Sequence, residues 1–126
     1  MTKAKRLEVY DKYSGYCAYC GKEIEYKDMQ VDHIIPKRHA FYQIDGRLCV
    51  RPDGTGVDDL DNLNPSCRRC NHYKRALDLE TFRRIWLGKM HDRLAKQYVI
   101  KVALDYGIVT LKPFSGKFYF EQIKEG

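Results

Sequence analysis

The sequence predicts an α+β fold: a small ββ core clamped by a four-cysteine metal site, with a C-terminal helical extension and a terminal β-hairpin. Three observations predict it. Two Cys-x-x-Cys pairs, Cys17/Cys20 and Cys67/Cys70, flank a strand-forming run, Val31-Asp32-His33-Ile34-Ile35-Pro36. Beyond them, apolar residues recur at helical spacing from residue 81 onward. The chain has 126 residues, which suits one domain, residues 1–126, with a modest hydrophobic core. Within it we expect a compact core over about residues 8–78 and an extension over about residues 79–126.

Residues 4–13 predict a short helix. Leu7 and Tyr10 fall three apart, Val9 and Tyr13 four apart, and Ser14-Gly15 ends the pattern. Tyr16-Cys17-Ala18-Tyr19-Cys20-Gly21 is a tight knuckle, in which Gly21 supplies the backbone freedom that a turn around a metal needs. Residues 29–35 form the central strand, and Pro36 stops it. Neighbouring strand residues face opposite ways, so Asp32 and His33 reach one site only if the chain bends there.

Residues 37–59 read as a loop, with turn signals at Asp45-Gly46 and Asp53-Gly54 and a short strand at residues 48–50 between them. A connection this long is expected to carry function or to be mobile. Residues 60–65 form a second short strand or turn. Ser66 is the expected N-cap of a helix that runs from the second knuckle through Asn71 and Lys74 toward Ala76. Residues 81–96 predict one amphipathic helix, with Phe82, Ile85, Trp86, Met90 and Leu94 on its apolar stripe and Arg83, Arg84, Lys89 and Arg93 opposite. Residues 98–106 predict a further helix with Gly107 as its C-cap. Residues 108–111 and 117–120 are expected to pair as a hairpin around Ser115-Gly116.

Composition narrows the function. Hydrophobic residues make up 44% and charged residues 32%, which fits a globular protein and excludes a disordered tail. The net charge of +6 favours a polyanionic partner, although a merely soluble basic protein would carry it as well. No apolar run approaches the ~20 residues that span a bilayer, and the basic N-terminus lacks the apolar stretch of a secretory signal. We therefore expect a cytoplasmic protein with no membrane partner and no small-molecule substrate.

Four of the five cysteines form the two pairs, and Cys49 reads as an ordinary small apolar residue. In a chain without an export signal, such pairs point to metal rather than disulfides. Cys17, Cys20, Cys67 and Cys70 offer four thiolates, which close the coordination sphere of Zn²⁺ and make that zinc structural.

The remaining polar residues complete a set. Cys-x-x-Cys, Asp32-His33-Ile34-Ile35-Pro36, Asn62-Leu63 and Cys-x-x-Cys-Asn71-x-x-Lys74 follow one another over about residues 16–75. This set resembles the HNH endonuclease family of ββα-metal nucleases. The resemblance implies a ββα-metal core and metal-dependent cleavage of DNA, double-stranded DNA favoured, with one strand nicked per active site. It makes His33 the general base, Asp32 and Asn71 the ligands of a catalytic divalent cation, and Asn62 the brace of the loop that orients the histidine. Lys74 would support the helix or contact a phosphate. A neutral histidine can accept a water's proton near pH 7, and a hard cation can relieve charge on the phosphate and the leaving oxygen.

Some alternatives stay open at this level. With Asn71 as ligand, Mg²⁺ or Mn²⁺ is expected; a one-residue slip makes His72 the ligand and lets Ni²⁺ compete. Lys37, Arg68 and Arg69 are further candidates for phosphate contacts, and His39 is either another or a surface residue. The basic face of residues 83–93 is either a DNA-facing stripe or a solvated surface. A non-catalytic zinc-knuckle module that binds nucleic acid would share the charge and both knuckles. Oligomeric state stays open: a double-strand cut would need a homodimer or two encounters, and the C-terminal helices and hairpin are the place to look for a dimer contact.

Overall fold

The structure, a computed structural model, describes residues 1–36, 41–44, 47–50 and 58–125. It divides into two compact units. The first comprises Met1–Leu79 together with Phe118–Gly126, and the second Glu80–Lys117.

In the first unit, helix α1 (Lys3–Asp11) begins where the Thr2 side chain accepts from the Lys5 amide. Its polar side chains grip neighbouring backbone. Arg6 donates to the Tyr26 and Met29 carbonyls at 2.9 and 2.8 Å. Lys12 Nζ, just beyond the helix, reaches Leu60 O at 2.9 Å and Leu63 O at 2.8 Å. Strand β1 (Gln30–His33) pairs antiparallel with β4 (Leu63–Ser66), with Asp32 opposite Asn64 and His33 opposite Leu63. Pro65 is tolerated because this sheet has two strands and hence only edges. Helix α2 (Arg68–Lys74) follows at once, completing a ββα unit.

Between β1 and β4 the structure finds a second hairpin, β2 (Phe41–Ile44) with β3 (Arg47–Val50), where the sequence promised a loop with one short strand. Phe41, Tyr42 and Ile44 carry the β-propensity that the loop reading passed over. Cys49 lies in β3, and its side chain is outside the described residues, as are Lys37 and His39. The core of the first unit comprises Val9, Cys17, Ala18, Tyr19, Ile24, Met29, Leu63, Cys67, Leu77, Phe118 and Phe120.

Three expectations are corrected. Ser66 is not the cap of α2. It ends β4, and the Cys67 side chain takes the N-cap position by accepting from Cys70 N at 3.3 Å. The long helix over residues 81–96 is broken into α3 (Leu79–Thr81), a π-helical segment (Phe82–Leu87) and α4 (Met90–Ala95). The break falls at Gly88, where a Cβ would lie 2.4 Å from Arg84 O. The Arg93 guanidinium donates to the Ile85 and Trp86 carbonyls at that end, the former also accepting from backbone amides.

The terminal hairpin does not form. Residues 108–118 hold no strand, and residues 119–125 form helix α6 (Tyr119–Glu125). The Tyr119 and Phe120 amides donate instead to Tyr19 O at 3.1 Å and Ala18 O at 2.8 Å, and Phe118 and Phe120 are buried edge-on against the Tyr19 ring. Burial of two aromatic rings outweighs their β-propensity. The second unit also carries α5 (Tyr98–Asp105), ended by Gly107 at φ +71 as expected. Among the described residues no helix is long and apolar enough to cross a membrane.

Candidate active site and metal centre

The two knuckles bring four thiols together. In the first, Cys17 N donates to Lys22 O and Gly21 N to Cys17 O, closing a turn that needs Gly21 at φ +79. In the second, the Cys67 amide donates to Cys17 Sγ at 3.3 Å. All four sulfurs lie within 4.8 Å of one another, with Cys20 and Cys67 Sγ 3.9 Å apart. Sulfurs around one tetrahedral zinc stand about 3.8 Å apart at the usual Zn–S length of ~2.3 Å. A disulfide would need ~2.05 Å. The hydrogen bond from Cys70, chief among several, draws the Cys17 thiol down to about 4, so one thiolate is favoured before any metal arrives.

Asp32 and His33 leave β1 on opposite faces, as a strand requires. Asp32 points inward and is 3% exposed. Its Oδ2 accepts from the Tyr19 hydroxyl, and its Oδ1 from Lys74 Nζ at 3.2 Å. Burial raises the Asp32 carboxyl above its ordinary range, while the Lys74 ammonium and the Tyr19 hydroxyl pull it back. Tyr19 is pushed well above its own range, first by burial and then by the Asp32 charge, which keeps its hydroxyl a donor. Asn64, across the sheet, donates to the same hydroxyl at 3.4 Å.

His33 is the last residue of the strand, and the bend after it is held by Asn62. The Asn62 Oδ1 accepts from Ile35 N at 2.8 Å, its Nδ2 donates to Ile35 O at 3.2 Å, and its carbonyl accepts from Ile34 N at 2.9 Å. The His33 ring meets Asp58, with Nε2 2.7 Å from Oδ1.

This bend lets Asp32 and His33 share one pocket of about 320 Å³ with Val31, Pro36, Asn71, Arg75 and Ala76. An inward carboxylate and an amide side chain on one cavity are hard oxygen donors, a set that fits a Mg²⁺-like cation. His72 lines a different cleft, with Lys22, Glu23, Arg68 and Arg69, so the geometry gathers Asn71 and not His72 with Asp32. Arg68 and Arg69 likewise stand apart from the His33 pocket.

Lys74 points into the fold, the supporting role of the two that the sequence left open. It is wholly buried, and Nζ donates to Asp32 Oδ1, to His33 O at 3.3 Å and to Leu77 O at 2.9 Å, which takes up the three hydrogens of an ammonium. The cation that lines the pocket is Arg75, which ends α2 at φ +53, an uncommon conformation for a residue with a side chain. Sequence reasoning passed over Tyr19, Asp58 and Arg75. Tyr19 sits inside the first knuckle and Arg75 beside Lys74, so position gave a signal for both; Asp58, 25 residues from its partner, gave none.

Known proteins resemble this chain. The family described as HNH endonuclease matches residues 17–76, just under half of the chain. The chain is 26% identical over 92 residues to the SPbeta prophage-derived protein YoqL of Bacillus subtilis (strain 168), named as an HNH endonuclease. That match covers 73% of this chain and 35% of the relative, so the chain spans about a third of the relative's length. A crystal structure of the Type II-C Cas9 enzyme from Actinomyces naeslundii is similar over 65% of this chain and 8% of that one, at 24% identity and a TM-score of 0.48.

Proposed function

We propose that this protein is an HNH endonuclease that hydrolyses phosphodiester bonds in DNA, one strand per active site, with a divalent cation held by Asp32 and Asn71; the match of residues 17–76 to that family supports the reading. The reading is carried by one observation: Asp32, His33 and Asn71 line a single pocket, and Asn62 braces the bend that joins them.

In this reading His33 takes the proton of the attacking water. Lys74 and Tyr19 hold the Asp32 carboxylate, and Asn71 projects from α2 toward the same cavity. Arg75 offers its guanidinium to the phosphate oxygens. A Mg²⁺ or Mn²⁺ ion bound there supplies charge relief to the phosphate and the leaving oxygen. Zn²⁺ on the four cysteines serves the fold, since its coordination sphere is closed. The +6 charge steers the chain to DNA and makes binding weaken with salt. A monomer nicks; a double-strand cut takes a homodimer or two encounters.

The test is a supercoiled-plasmid assay with Mg²⁺, Mn²⁺, Ni²⁺ or EDTA. We expect open-circle product with Mg²⁺ or Mn²⁺, a loss of about 100-fold or more in His33→Ala, loss in Asn71→Ala, and near-normal cleavage in His72→Ala. Wild-type rates from His33→Ala would sink the assignment of the base. Loss confined to His72→Ala would move the metal ligand by one residue.

A further inference from the structure

We propose that Asp58 is a positioning residue for the general base, fixing which nitrogen of the His33 ring carries the proton; this rests on the reading of His33 given above. Nε2 of His33 lies 2.7 Å from Asp58 Oδ1. An ionised carboxylate has only acceptor oxygens, so the ring nitrogen facing it must hold the hydrogen. In a neutral imidazole this leaves Nδ1 with the lone pair, as the nitrogen able to accept a proton.

The place of Asp58 on the chain sets this pair apart from a chance surface contact. It lies two residues before the 3₁₀ turn Leu60–Asn62, next to the N-cap Asp59, whose carbonyl accepts from the Asn62 amide at 2.8 Å. At the far end of that turn, Asn62 grips the Ile35 backbone through both its side-chain donor and its side-chain acceptor. One short segment therefore holds the histidine twice, the ring through Asp58 and the following chain through Asn62. Lys74 adds a third hold on the His33 carbonyl.

Backbone holds alone leave an imidazole free to change rotamer. Asp58 removes that freedom and stands beside the imidazolium formed during the reaction. In the step itself a water proton passes to Nδ1, the water oxygen bonds to phosphorus, and the bond to the leaving oxygen breaks, that oxygen taking a proton from solvent.

The test uses the ¹⁵N-labelled full chain, wild type beside Asp58→Asn and Asp58→Ala, with ring ¹H–¹⁵N correlation spectra of His33 and the plasmid assay. The wild type should show the Nε2–H tautomer. Asp58→Asn, whose amide oxygen still accepts, should largely keep it, and Asp58→Ala should show a mixture. Asp58→Ala should lose on the order of 10–100-fold in kcat with KM little changed, Asp58→Asn should lose less, and zinc content should match the wild type. An unchanged tautomer and rate in Asp58→Ala, with His33→Ala inactive, overturns this proposal and leaves the base assignment standing. A faster Asp58→Ala also overturns it, because the contact would then be a shutter on the ring. A fully active His33→Ala removes base and proposal together.

Discussion

Lys74 and Asp32 form the contact on which the pocket wall depends. Both are buried, and each is the other's charge partner at 3.2 Å. Removing the cation leaves a carboxylate that is out of water and unpaired, which costs about 3–5 kcal/mol. Lys74→Met should therefore lower the urea midpoint by a corresponding amount. Adding Asp32→Asn should recover part of the loss, because the double variant no longer buries a lone charge; additive losses would refute the coupling. At this scale the sequence was informative wherever residue type and spacing coincide. Asp32, His33 and Asn62 stood out by their order between the knuckles, and Asn71 by its place directly after the second. The direction of Lys74 was not, because a lysine three residues past Asn71 reads equally as phosphate contact or support, and only its burial decides.

Among the elements, the first knuckle is shaped by what packs against it. A Cβ on Gly21 would lie 2.7 Å from Tyr119 Cδ1, at a φ of +79. Gly116 has a similar φ of +88 but open space around it. Alanine at Gly116 should cost only the backbone strain, about 1–2 kcal/mol, whereas Gly21→Ala must also displace α6. Thermal unfolding should show the larger fall for Gly21→Ala, and equal falls would mean that α6 yields freely. Local pattern placed α1, β1, β4, α2 and α5, each of which follows its own periodicity or caps. It failed at α6, because a strand reading of Lys117-Phe118-Tyr119-Phe120 takes no account of Tyr19, some hundred residues earlier, as the surface those rings cover. Local pattern likewise ran one helix through Gly88 and missed both the break there and the π-helical segment before it.

For the whole molecule, the metal staple should dominate stability. The core of the first unit is small, and the four cysteines join Cys17 and Cys20 to β4 and α2 across 46 intervening residues. Structural zinc in comparable sites binds with on the order of 10 kcal/mol, free energy that becomes folding free energy. The purified protein should carry close to one zinc per chain, and a strong chelator should collapse its near-UV dichroism and lower its thermal midpoint; a zinc-free protein with an unchanged midpoint would count against the staple. The return of residues 118–125 to the first unit has a consequence for synthesis. The second unit, Glu80–Lys117, is translated before Phe118 and Phe120 reach the Tyr19 ring. A nascent chain can therefore close its cysteine cluster early, yet the wall behind the Tyr19–Asp32 contact is finished only after residue 120 has left the ribosome.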